Sequence, residues 1–193
     1  MRLAFPLEWL TARNSLTVNV GPLSQSVPGV PPNPQADGLG YNPRCIRRDV
    51  NKNYATLTRA NYTYDLITKN NNVYWMQTVM EGQLDMGLLG VHISGHQTIG
   101  GDPAGDFYSS PGDPAFWLHH GMIDRVWWIW QNLDLEKRLK DVSMTMTMFN
   151  NPPTRNGTLE DSFDLGLLAG EWKMKDLMST LGGLGGEMCY VYV

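Results

Sequence analysis

The sequence predicts a mainly α-helical fold with long loops and little strand. Three observations predict it. Residues 113–132 open with Asp-Pro and then carry apolar or aromatic side chains at steps of three and four. Shorter stretches between residues 61 and 97 show similar spacing. Between and before these blocks lie segments too rich in proline and glycine for the interior of a helix or sheet.

The clearest element is the helix that starts at Pro114 and runs from Ala115 to Asn132. Asp113 is a favourable N-cap, and proline at the first helical position needs no backbone donor. Phe116, His120, Ile123, Trp127 and Trp130 share one stripe, and His119 falls about 100° away from it. Earlier in the chain, Leu16–Val20 reads as a short strand. Gly21–Pro43 reads as a loop, because Pro22, Pro28, Pro31, Pro32, Pro34 and Pro43 all fall within it. Arg44–Asn53 is charged and opens a helix. Asn61–Glu81 reads as one or two helices, broken around Lys69-Asn70-Asn71-Asn72. Leu84–Gln97 has helical spacing, weakened at Gly87, Gly90 and Gly95 by about 1 kcal/mol each against alanine. Gly100–Gly112 is a loop. Residues 133–150 are mixed, and Asn150–Pro153 is a turn. The end reads as a helix over Trp172–Leu181, a glycine hinge over 182–186, and a strand over Glu187–Val193.

Composition narrows the function. The 193 residues carry a formal net charge of −4, with 42% hydrophobic and 18% charged residues. That is a globular balance without the basic stripe needed to neutralise phosphates, so no nucleic-acid partner is expected. No apolar run of 18 residues occurs, so no membrane span is expected either. Pro6 and Glu8 interrupt the apolar stretch of the first ten residues, which spoils a signal-peptide pattern. The sequons at Asn61 and Asn156 keep secretion open. Two cysteines, Cys45 and Cys189, exclude a disulfide-dense scaffold, and the sequence leaves open whether they pair.

The histidines carry the chemistry. Only four occur, and all lie between positions 92 and 120. His92 and His96, four apart on a helix, present both rings on one face about 5–6 Å apart at Cβ. That spacing suits two imidazoles sharing one metal ion. His120 is the better third ligand, because it lies on the buried stripe and His119 does not. Three imidazoles without a thiolate or carboxylate suit copper or zinc better than magnesium or calcium. Asp124, one turn after His120, suits either a hydrogen bond to the second imidazole nitrogen or a pair with a basic residue such as Arg125 or Arg47. Phe116, one turn before His120, reads as core that also limits access to the site.

These residues carry a resemblance. Asp113-Pro114-Ala115-Phe116-Trp117-Leu118-His119-His120, followed by Asp124-Arg125, resembles the copper B signature of tyrosinases, catechol oxidases and haemocyanins. His92-x-x-x-His96 stands where that family places its first two copper B ligands. Gly95–Pro103, Gly105-Asp106-Phe107, Asp37–Cys45 and the closing Cys189-Tyr190-Val191-Tyr192 look like short fungal polyphenol oxidases in particular.

The resemblance implies a helical bundle of the di-copper type. In it two helix pairs each hold one copper through three histidines, and o-diphenols are oxidised to o-quinones with dioxygen. It assigns His92, His96 and His120 to copper B and gives His119 a non-ligating place. Ile93 stands where many monophenol-active relatives carry asparagine, and Leu89 where many carry an acidic residue. Both point to diphenol oxidation rather than phenol hydroxylation. No histidine precedes position 92, so residues 1–193 are expected to form the copper B half of a catalytic domain, with copper A absent and one ion per chain. Alone, such a half is expected to be inactive, either as an incomplete oxidase or as a three-histidine metal-binding fragment. Its uncovered apolar helix faces favour self-association.

Overall fold

The computed structural model describes residues 34–35, 41, 43, 45–83, 86–106, 109–147 and 150–193. The expected strand at Leu16–Val20 and nearly all of the Gly21–Pro43 loop lie outside the described residues. The chain divides into two compact units. One joins the described residues up to Thr58 with His92–Gly121, and the other joins Arg59–Val91 with Met122–Val193.

The second unit holds an apolar core. Helix α2 (Ala60–Lys69) and helix α3 (Val73–Glu81) follow the short α1 (Lys52–Ala55) of the first unit. The break between α2 and α3 falls in the asparagine run, as the spacing predicts, and its cause is local. Asn72 is extended, and its side chain caps α3 by accepting from the Trp75 N–H at 3.0 Å. Asp141 accepts from the Val73 N–H at 2.8 Å, which satisfies another free donor of that helix start. Leu66, Val73, Met76, Met80, Val91, Val126 and Trp130 form the core, with Ile67, Ile123 and Trp127 packed against it.

The reading of Leu84–Gln97 as one helix is corrected. Within it, Leu88–Leu89 form strand β2, paired antiparallel with β1 (Gly82–Gln83), and helix α4 begins only at Val91 and ends at Ile99. Glycine decides this. Gly82 leaves α3 at φ +107°, and a Cβ on Gly90 would lie 2.1 Å from the Met80 carbonyl oxygen. Gly90 therefore serves a close backbone approach, not a helix turn.

Helix α5 (Pro114–Asn132) is the longest described element, and a short α6 (Leu135–Arg138) follows it. The C-terminal reading is corrected in the same way. Only Met174–Leu177 (α7) is helical in the stretch expected to be a helix. Trp172 instead lies in strand β4 (Glu171–Lys173), which pairs with β3 (Ser162–Asp164). The expected glycine hinge is a hairpin between β5 (Leu181–Gly183) and β6 (Met188–Cys189), so only two residues of the expected last strand pair. Strands of two and three residues are too short to show an alternating pattern.

Beyond β6, Tyr190 and Tyr192 both donate their hydroxyls to Asp124 Oδ2 on α5, and Arg125 donates to the Val193 carbonyl. The sequence left Asp124 open between an imidazole and a basic neighbour, and its partners are these two phenols. Burial, helped by the Asp124 carboxylate, pushes Tyr192 up to about 12 and raises Tyr190 as well. A phenol whose folded value is raised stabilises the fold fully below its ordinary value near 10 and loses that contribution as pH rises through the folded value. The C-terminal tail is therefore expected to release between about pH 10 and 12. Tyrosinate absorbance should show a late step that shrinks in Tyr192→Phe.

Candidate metal centre

The site lies in the first unit and is built from two helix segments. Residues 47–51 brace the end of α4. Arg47 and Asp102 exchange backbone hydrogen bonds at 2.8 and 3.0 Å, and Asn51 N–H reaches the Thr98 carbonyl at 2.9 Å. Asp113 starts α5. It is fully buried, and its Oδ1 accepts from the Ala115 N–H at 2.8 Å. Arg48 grips the same carboxylate with two donors, at 2.7 and 3.1 Å. The N-cap follows from the sequence, but the partner does not. A carboxylate buried at a helix start calls for a cation, yet nothing in the sequence says which basic residue folds back to it.

Asp113→Ala is expected to cost about 2–4 kcal/mol. The cap accounts for about 1 kcal/mol and the charge-assisted pair for most of the rest. Arg48 is half exposed and regains water, which limits the loss. Thermal melting of Asp113→Ala beside Asp113→Asn, which keeps the cap oxygen, checks this.

Within this frame three imidazoles converge. His92 and His96 project from one face of α4, and His120 comes from α5. His120 Nε2 stands 3.4 Å from His92 Nε2 and 3.1 Å from His96 Nε2. One nitrogen from each ring lies within 4.8 Å of the other two. Ligands about 2.0–2.1 Å from a tetrahedral ion stand about 3.3–3.4 Å apart, so the two spacings to His120 are close to those of rings able to share one ion. His96 Nδ1 faces the Ala104 carbonyl at 3.2 Å, an acceptor that requires N–H there and leaves the lone pair on Nε2. Phe116 stacks on His120, with ring centroids 3.9 Å apart and planes 22° from parallel, and it also reaches His96 at 5.8 Å.

His119 is beside the cluster and faces elsewhere. Its Nε2 donates to the His92 carbonyl at 2.8 Å, and its ring lies nearly parallel to that of His92. Burial pushes its imidazole down to about 4, and the three neighbouring rings add to that, so it is neutral at neutral pH. Ile93 is half-buried on α4, next to His92. Cys45 and Cys189 are both free and exposed. Among the described residues, no helix is long and apolar enough to cross a membrane.

The donor set, three imidazoles, fits copper. Sequence reasoning brought His92, His96, His120, His119 and Phe116 to one place. It missed Arg48 and the Ala104 carbonyl.

Known proteins resemble this chain over most of its length. Residues 8–133 match the family profile described as the common central domain of tyrosinase. The chain is 43% identical over 121 residues to the tyrosinase-like protein orsC of Emericella nidulans, covering 63% of this chain and 31% of that protein. It is 33% identical over 177 residues to tyrosinase P of Aspergillus terreus, covering 91% of this chain and 48% of that one. A solved structure of a polyphenol oxidase variant from Thermothelomyces thermophila superposes with a TM-score of 0.81 at 37% identity, covering 93% of this chain and 49% of the other. The chain thus spans about half the length, or less, of the relatives it matches. It belongs to the tyrosinase family.

Proposed function

We propose that this chain provides one copper site of an oxidase that converts o-diphenols to o-quinones with dioxygen, and that alone it holds a single ion. The observation that supports this reading is the convergence of His92, His96 and His120 through Nε2 at coordination distances. Bound copper supplies the Lewis-acid and redox chemistry that moves electrons from a phenol to dioxygen. The chain's own residues set the site. Ala104 fixes the tautomer of His96, Phe116 holds the plane of His120, and Ile93 beside His92 favours diphenols over monophenols.

The chain has four histidines in all. Three form this site, and the Nε2 of the fourth is committed to a backbone carbonyl. A second set of three imidazoles must therefore come from outside the 193 residues, and the chain by itself should oxidise catechols little or not at all.

Copper titration tests the reading. One ion per chain is expected for the wild type and none for His96→Ala, and equal stoichiometry in the two would overturn the site. Oxygen uptake with a catechol tests completeness. Clear uptake by the pure, copper-loaded chain would show that it is a whole enzyme. One ion bound without any uptake is the expected result.

A further inference from the structure

Gly95 sits on α4 between two of the converging histidines, and the space beside it is filled. A Cβ at this position would lie 2.1 Å from Cε1, 2.5 Å from Nε2 and 2.6 Å from Nδ1 of His119. Contacts that short do not occur, so something would have to move. The His119 ring is not a loose end that yields easily. Its Nε2 is bonded to the His92 carbonyl at 2.8 Å. Its plane lies 12° from that of His92 at 5.5 Å, and its edge meets His96 at 4.9 Å. A ring held on three sides passes a displacement on to its own backbone. That backbone is also the backbone of His120.

We infer that Gly95 and His119 are a size-matched positioning pair. The missing side chain at 95 lets the His119 ring pack directly against α4, and that contact sets how far His120 stands from His92 and His96. His119 is thus a positioning residue and not a ligand. It fixes the ligand beside it in sequence and, through the His92 carbonyl, the helix that carries the other two. The inference deepens the copper reading above and rests on it for its functional meaning.

The test is a double-mutant cycle on the whole chain: wild type, Gly95→Ala, His119→Ala and the double variant. Each is titrated with copper(II), followed by electron paramagnetic resonance, and melted without metal. Gly95→Ala is expected to weaken copper binding more than about tenfold and to change the copper(II) spectrum, as losing a positioning contact does. His119→Ala is expected to weaken it about tenfold. In the His119→Ala background, adding Gly95→Ala should cost less than about twofold, because the clash is gone and shared contacts are not additive.

The metal-free melt carries its own sign. Alanine is the better helix former, so Gly95→Ala should raise Tm where His119 is absent and lower it where His119 is present. If Gly95→Ala does not fold, a folded double variant supports the pair, and an unfolded double variant overturns it. Copper binding by Gly95→Ala equal to wild type, or losses that simply multiply in the double variant, would also overturn it. A wild type that binds no copper would sink the function proposed above, while the melting cycle would still decide whether Gly95 and His119 are matched.

Discussion

His120→Ala is expected to remove tight copper binding, lowering affinity by more than about 100-fold. Loss of a group that merely supports a ligand costs about 10–100-fold, and His120 is itself the point on which the other two nitrogens converge. The two α4 imidazoles that remain are held one helical turn apart and offer only one edge of the coordination shell. Heat gives an independent reading. Copper at about a thousand times its dissociation constant should stabilise the wild type by about 4 kcal/mol, and that gain should vanish in His120→Ala. The metal-free variant should be only slightly weaker than wild type, by about 0.5–1.5 kcal/mol, mainly from the lost stacking of Phe116. A variant that kept the copper-dependent rise in Tm would place the ion elsewhere.

The sequence carried the site further than it carried the fold around it, and the reason is one of range. His92 and His96 are related by the helical repeat, and His120 lies in a helix whose start is marked by Asp113-Pro114. Both signals are local and survive without knowledge of tertiary contacts. What depended on contact across the chain was not legible. Arg48 reaches Asp113 from 65 positions away. Asp124, which a local argument aims at an imidazole one turn back, takes its two hydroxyl donors from Tyr190 and Tyr192. The glycines show the same limit. At 87, 90 and 95 they all look like weak points of one helix, yet Gly87 is in a turn, Gly90 makes room for a carbonyl, and Gly95 makes room for a ring. Composition reports that a glycine is present, and only the neighbour reports why.

Trp130→Ala is expected to be the most damaging single core substitution, at about 3–5 kcal/mol. Trp130 is completely buried and packs in the cluster of Leu66, Val73, Met76, Met80, Val91 and Val126. Its indole N–H donates to the Asn70 carbonyl at 2.7 Å, which ties α5 to the turn between α2 and α3. The Arg138 guanidinium lies over its ring at 4.2 Å, and Arg138 also donates to the Trp130 carbonyl. Truncation therefore does three things at once: it opens a large cavity, strands a carbonyl, and removes the face that covers a buried cation. Trp130→Phe separates these effects. It refills most of the cavity but still leaves Asn70 without its donor, so it should cost about half as much. In a chain of this length each kcal/mol moves Tm by about 2–4 °C, which puts the alanine variant roughly 6–20 °C below wild type. If phenylalanine restored the full Tm, the indole hydrogen bond would contribute nothing, and cavity volume alone would account for the loss in the alanine variant.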